Sequence, residues 1–119
     1  MSGPSSADVV PATVGQVSDD GLVVVTMVFN STSSAELAGV LAAYVVGSRG
    51  HDGCLNIDLL VSALDPNRFT VVQKWVGGDH QRAHFDSPEM VEMARSAVPL
   101  LASPPTIELH HAISAHDLI

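Results

Sequence analysis

The chain has 119 residues, enough for one domain with a real core and too few for a separate regulatory module. A formal charge of −8, from 5 Lys and Arg against 13 Asp and Glu, excludes nucleic acid as a partner, because binding to a phosphate backbone rests on clustered cations. One cysteine, Cys54, excludes an internal disulfide framework, and 46% hydrophobic against 15% charged residues is apolar for a small monomer, which points to self-association.

Residues 1–20 are rich in Ser, Pro, Gly and Asp and show little periodicity, so they are expected to form a flexible N-terminal arm ahead of a domain spanning 21–119. No stretch reaches the ~18 consecutive apolar residues that span a bilayer, and no charged-then-apolar leader pattern opens the chain. The expectation is a soluble cytoplasmic protein without a membrane partner. Leu22 to Phe29 is a continuous β-prone run, apolar on both faces apart from Thr26, and predicts a strand in the middle of a covered sheet. Asn30 to Ser34 supplies turn chemistry, with Ser33 three residues before Glu36 as in a capping box. Leu37, Val40, Leu41, Tyr44 and Val45 then recur at helical spacing up to about Gly47, with Gly47 and Gly50 available to end the helix.

Cys54 to Leu64 predicts a half-buried strand with Leu55, Ile57, Leu59, Val61 and Ala63 on one face. Asp65, Pro66 and Asn67 turn it into a hairpin with the strand Phe69 to Val76, whose Phe69, Val71, Gln73 and Trp75 share a face. Gly77 and Gly78 break that strand, and Asp79 can cap a helix carrying His80, Arg82, His84 and Phe85. Pro88 opens a further helix with Met90, Val91, Ala94, Val98 and Leu101 as its apolar stripe. Thr106 to His116 alternates as a closing strand. The order predicts an α+β, ferredoxin-like βαββαβ domain.

Particular residues carry the resemblance to a known family. RGHDGCL from Arg49 to Leu55, DPNRF from Asp65 to Phe69, Trp75 with His84 nine residues later, and Ser87–Pro88 resemble the antibiotic biosynthesis monooxygenase family over about residues 22–115. The resemblance implies a dimeric α+β barrel, two ferredoxin-like sheets face to face, with a pocket in each subunit between sheet and helices. It also implies a function among cofactor-free oxygenases that turn anthrones into quinones, haem-degrading oxygenases and small isomerases. The asparagine places of the anthrone-oxidising branch fall on Thr26 and Val71, and its tryptophan on Trp75. Gln73 stands where many members have Glu, keeping hydrogen bonds without a titratable base. The haem-ligand place of the haem-degrading branch falls near Met93, which at helical spacing reads as core.

The candidate catalytic residues are therefore His84, whose ordinary pKa of about 6.5 suits a general base, and Trp75, which offers a flat apolar surface and one N–H to an aromatic substrate. Each has a plain structural alternative: Trp75 as a core residue closing the barrel, His84 as a helix-end histidine bonded to a loop. Thr26, Tyr44, Val71 and Gln73 are the candidate substrate contacts, with core packing the alternative for Tyr44. His80 and His84 have the spacing of a helical metal pair, but no third ligand stands nearby in sequence and His110 and His111 point to opposite strand faces, so no metal is expected. Cys54 reads as a small core residue, and Arg49, His51 and Asp52 as a solvated corner or a pocket rim. The leading function is a cofactor-independent monooxygenase of an aromatic or polyketide-like small molecule, anthrone or quinol to quinone, with oxygen as co-substrate and a homodimer as its assembly. The alternatives are an isomerase or other proton-transfer enzyme in the same pocket, and a non-catalytic ligand-binding member of the fold.

Overall fold

The computed structural model describes residues 21–114; the expected N-terminal arm lies outside the described residues, as does the end of the chain. The strand β1 (Val23–Asn30) is followed by α1 (Ser34–Ser48), the hairpin β2 (Cys54–Val61) and β3 (Arg68–Trp75), the helices α2 (Gly78–Phe85) and α3 (Pro88–Ala97), a 3-10 turn (Val98–Leu100), and β4 (Thr106–His111). The four strands form one antiparallel sheet in the order β2-β3-β1-β4. That is the ferredoxin-like α+β arrangement, with the second crossover made by two helices.

Strand parity decides what the sheet presents to the helices. Val23, Val25, Met27 and Phe29 of β1 stand opposite Trp75, Gln73, Val71 and Phe69 of β3, and all eight are buried. Leu37, Leu41, Tyr44 and Val45 of α1 close over this face. The other parity, with Val24, Thr26, Val28, Thr70 and Val72, is only half-buried, so the apolar β1 run is covered on one face alone by the described residues.

Several local expectations change. Ser33 is the N-cap of α1, yet its hydroxyl donates to Glu36 Oε1 at 2.7 Å instead of accepting from the backbone, so the capping box closes side chain to side chain. Gly77, not Asp79, caps α2; Asp79 lies in the first turn and pairs with Arg82. Ser87 caps α3 through the Met90 N–H at 3.2 Å, with Pro88 at the first helical position.

β2 ends at Val61, three residues short of the expected strand, because the Ser62 hydroxyl accepts from the backbone of Leu64 and Asp65 and turns the chain. A bulge between Cys54 and Asn56 puts Cys54 on the parity of Trp75, and Ile57 is the only fully buried member of the expected apolar face. β4 is shorter than expected and exposed throughout, although Ile107 and Leu109 share the parity of buried Met27 and Val25. Gly53 joins α1 to β2 with φ +79, and a Cβ there would stand 2.2 Å from His80 Cγ, so both conformation and space demand glycine.

Candidate active site

The residues singled out on β3 and α2 do meet, but on each other. The Trp75 indole stacks on the His84 imidazole with ring centroids 4.7 Å apart and planes 30° apart. Trp75 and Gln73 are fully buried and His84 is 2% exposed. The pocket expected between indole and imidazole is therefore absent: the two rings occupy that space themselves.

Two further expectations are corrected. Val71 is a buried core residue opposite Met27. Thr26 pairs with Val72 on the outward parity of the sheet, so its hydroxyl lies on the far side from Gln73, Trp75 and His84. For Thr26 the side was open because β1 is apolar on both parities, so its sequence does not say which side meets the helices.

What forms instead is a line of hydrogen bonds whose direction can be deduced donor by donor. The indole N–H, which can only donate, gives to Gln73 Oε1 at 3.0 Å. That turns the amide nitrogen toward the Tyr44 hydroxyl, to which it donates. The phenol's own hydrogen is then free for His84 Nε2, 2.6 Å away.

Burial, and secondarily the neighbouring His51, pushes the His84 pKa down to about 4, so the ring is neutral at neutral pH and carries its hydrogen on Nδ1. His84 Nδ1 lies 2.8 Å from His51 Nδ1 and donates to it. Accepting at Nδ1, His51 has its hydrogen on Nε2 and directs it at Glu89 Oε1, 3.1 Å away. Every bond from Trp75 to Glu89 thus points outward.

The termini of this line have different surroundings. Desolvation raises the Tyr44 phenol well above its ordinary range, opposed by the hydrogen bond from Gln73. Glu89 is partly exposed, its side chain 42% accessible. It sits near the start of α3, which crosses α1 so closely that Glu89 Cγ lies 3.8 Å from where a Cβ on Gly47 would stand.

Beside this line, between α1 and α3, is an open cavity of about 990 Å³. Val40, Ala43, Met93 and Leu100 give it an apolar floor, and both Tyr44 and Glu89 line it. Of the expected substrate contacts only Tyr44 does. Met93 is 5% exposed and packs in the core as its spacing predicted.

Glu89 was missed as a member of the site, and His51 was given only as a corner or pocket-rim residue. His51 reads in sequence as a corner residue, and Glu89 as an ordinary first-turn carboxylate; their contact joins residues 38 apart and leaves no local pattern. His80 leans over Gly53 and lies 3.7 Å from Asp52, away from any shared ligand set. Among the described residues no group of three or more His, Cys, Asp or Glu is arranged to hold a metal ion, and no helix is long and apolar enough to cross a membrane. The Cys54 thiol is half-buried and its pKa is raised by desolvation, against the pull of Arg49, which keeps it protonated.

A ferredoxin-like sheet with a helix-covered cavity and a buried Trp–Gln–Tyr–His cluster defines a small α+β protein of the barrel-forming class. The chain belongs to the antibiotic biosynthesis monooxygenase family, whose pattern matches residues 21–96. Solved structures share the fold at low identity. A candidate antibiotic biosynthesis monooxygenase from Nitrosomonas europaea is 16% identical, with a TM-score of 0.73 over 77% of this chain and 99% of the other. A protein of the same description from Caulobacter crescentus is 19% identical, with a TM-score of 0.75 over 81% and 93%. A Mycobacterium tuberculosis protein is 22% identical, with a TM-score of 0.74 over 81% and 99%. No curated protein matches the chain.

Proposed function

We propose that the chain is a cofactor-independent monooxygenase that oxidises an aromatic, polyketide-like small molecule of the anthrone or quinol type to a quinone, with molecular oxygen as co-substrate. The observation that carries this reading is the placement of Tyr44 at the wall of an apolar cavity with a neutral, buried imidazole bonded behind it. An apolar cleft of this size suits a flat polycyclic molecule. A phenol backed by a neutral imidazole suits removal of a proton from it.

With an anthrone the balance closes on the substrate itself. The C–H bond breaks, its electron pair stays on carbon, and the carbanion passes one electron to oxygen. The radical pair joins as a peroxide, and O–O cleavage leaves a carbonyl and water, the substrate having supplied all four electrons. His84 serves as the base behind Tyr44; Trp75 and Gln73 hold the two in place and do not touch the ring that reacts.

A second reading has one observation in its favour. Tyr44 and Glu89, two members of the same hydrogen-bonded line, open on one cavity, which is what an isomerase needs to take a proton from one position and return it at another. Oxygen uptake with an anthrone and hydroquinone panel separates the two. Oxygen-dependent quinone formation by the wild type, lost in His84→Ala, is the expected result. Product without oxygen consumption supports the isomerase, and no turnover of any kind overturns both.

The partner in this reading is a second copy of the chain. Val24, Val28, Thr70 and Val72 leave the outward face of the sheet half-buried, and a face-to-face pairing of two such sheets would cover it.

A further inference from the structure

We propose that Glu89 is the terminal proton acceptor of the site, receiving the substrate's proton through Tyr44, His84 and His51 along a hydrogen-bonded path whose direction is set by the Trp75 indole. The inference rests on the function proposed above and names the group that ends its proton step. Four observations carry it: the unbroken contacts from Tyr44 to His84 to His51 to Glu89, the single donor direction they share, the near-complete burial of His84 between the two ends, and the position of both ends on one cavity.

The direction follows from hydrogen counting. The two imidazoles meet through Nδ1 atoms, which can share only one hydrogen between them. Tyr44 receives from Gln73, so its hydrogen faces His84; His84 must then present Nδ1–H, and His51 must present Nε2–H to the carboxylate. Reversing the line would set the indole N–H and the Gln73 amide against each other. Protons move along this arrangement from Tyr44 toward Glu89.

The proton step is then a set of simultaneous short transfers. The substrate's C–H or O–H proton goes to the second lone pair of the Tyr44 oxygen while the phenol's own hydrogen passes to His84 Nε2. His84 gives its Nδ1 hydrogen to His51, and His51 gives its Nε2 hydrogen to Glu89 Oε1. The carboxylate becomes a carboxylic acid and the negative charge moves to the substrate.

No buried group carries a net charge at the end. That matters because the surroundings of His84 cannot hold an imidazolium: burial opposes it, and the His51 ring opposes it further, with only the more distant Glu89 carboxylate in its favour. The groups facing His84 from each packed element are Tyr44 from α1, Trp75 from β3, His51 from the loop before β2 and Phe85 within α2. None of them is an anion. A proton taken by His84 must therefore travel on, and Glu89 is the exposed carboxylate within reach. Trp75 and Gln73 are positioning residues in this scheme, His84 and His51 relay the proton, and Tyr44 is the group that touches substrate.

The path is tested first in the resting protein, without substrate. Long-range proton–nitrogen correlation of the full chain with labelled histidine should find His84 protonated at Nδ1 and His51 at Nε2 at neutral pH; the opposite tautomer on His84 overturns the inference. In turnover, Glu89→Gln should lower kcat on the order of 100-fold while leaving the His84 tautomer as it was. Glu89→Asp should recover part of the rate. If Glu89→Gln keeps the wild-type rate while His84→Ala loses activity, the proton stops at His84: the inference falls and the monooxygenase reading survives. If the wild type turns over nothing, the reading falls and the tautomers alone decide whether the path exists.

Discussion

The helix-covered face of the sheet has two ends built on different rules. At one, Met27, Phe29 and Phe69 pack beneath Leu37 and Leu41, all apolar side chains without a hydrogen-bonding N or O. At the other, two turns along α1, Tyr44 closes over Gln73 and Trp75, and every polar atom of the cluster is spoken for by another. Burial is equally complete at both ends, so burial alone does not mark a site. The difference lies in what substitution leaves behind. Removing carbon from the first end opens a cavity; removing one partner from the second leaves a buried donor or acceptor stranded and breaks the direction of the whole line.

The largest effect should come from the carbon end. Phe29→Ala removes a buried ring, 2% exposed, from the middle of the core and should destabilise the protein by about 3–5 kcal/mol. Denaturant unfolding measures this. The tautomers of His84 and His51 should be unchanged at temperatures where the variant remains folded, since no atom of the polar line is altered. A shift in those tautomers would show the two ends to be mechanically coupled, and would remove the contrast.

The polar end should show itself through pH. His84 titrates near its ordinary 6.5 when unfolded and near 4 when folded, so between those values the unfolded chain binds more protons. Its contribution is therefore present in full above about pH 6.5 and lost as pH falls through about 4, amounting to about 3 kcal/mol across that window. Unfolding free energy measured from pH 7 to pH 4 should fall accordingly, and His84→Phe, which has no proton to gain, should flatten the slope. An equal slope in both proteins would mean that other groups govern the acid limb.

The two ends were also unequally legible in the sequence. The carbon end follows from periodicity: Leu37 and Leu41 at helical spacing, Phe69 and Val71 at strand spacing, and Pro-Asn between strands locate the core and the hairpin without reference to anything distant. Half of the polar end follows as well, since Gln73 and Trp75 share a strand face and Tyr44 sits on the inward side of α1. The rest depends on distance in three dimensions. His51 meets Glu89 only because α3 crosses α1 beside Gly47, and nothing in AAYVVGS or PEMVEM records that crossing. The pocket itself was misplaced for a related reason: strand and helix signals bring Trp75 and His84 to one region, but do not say that the two rings stack on each other and leave the opening to Tyr44.

Thr26 supplies the smallest predicted effect and tests the side of the sheet directly. It was assigned to the site because an asparagine place in the family falls on it, yet its pairing with Val72 puts it on the outward face. Thr26→Val keeps the shape and removes only the hydroxyl, so stability should change by no more than about 0.5 kcal/mol, and the rate of oxygen uptake should stay at the wild-type value. Tyr44→Phe, equally conservative, removes one hydroxyl from the other face and should abolish turnover by interrupting the path at its first atom. The two variants differ from wild type by one oxygen each, so the comparison isolates position from chemistry. Loss of activity in Thr26→Val would mean that the outward face, once a second copy covers it, forms part of the reaction chamber.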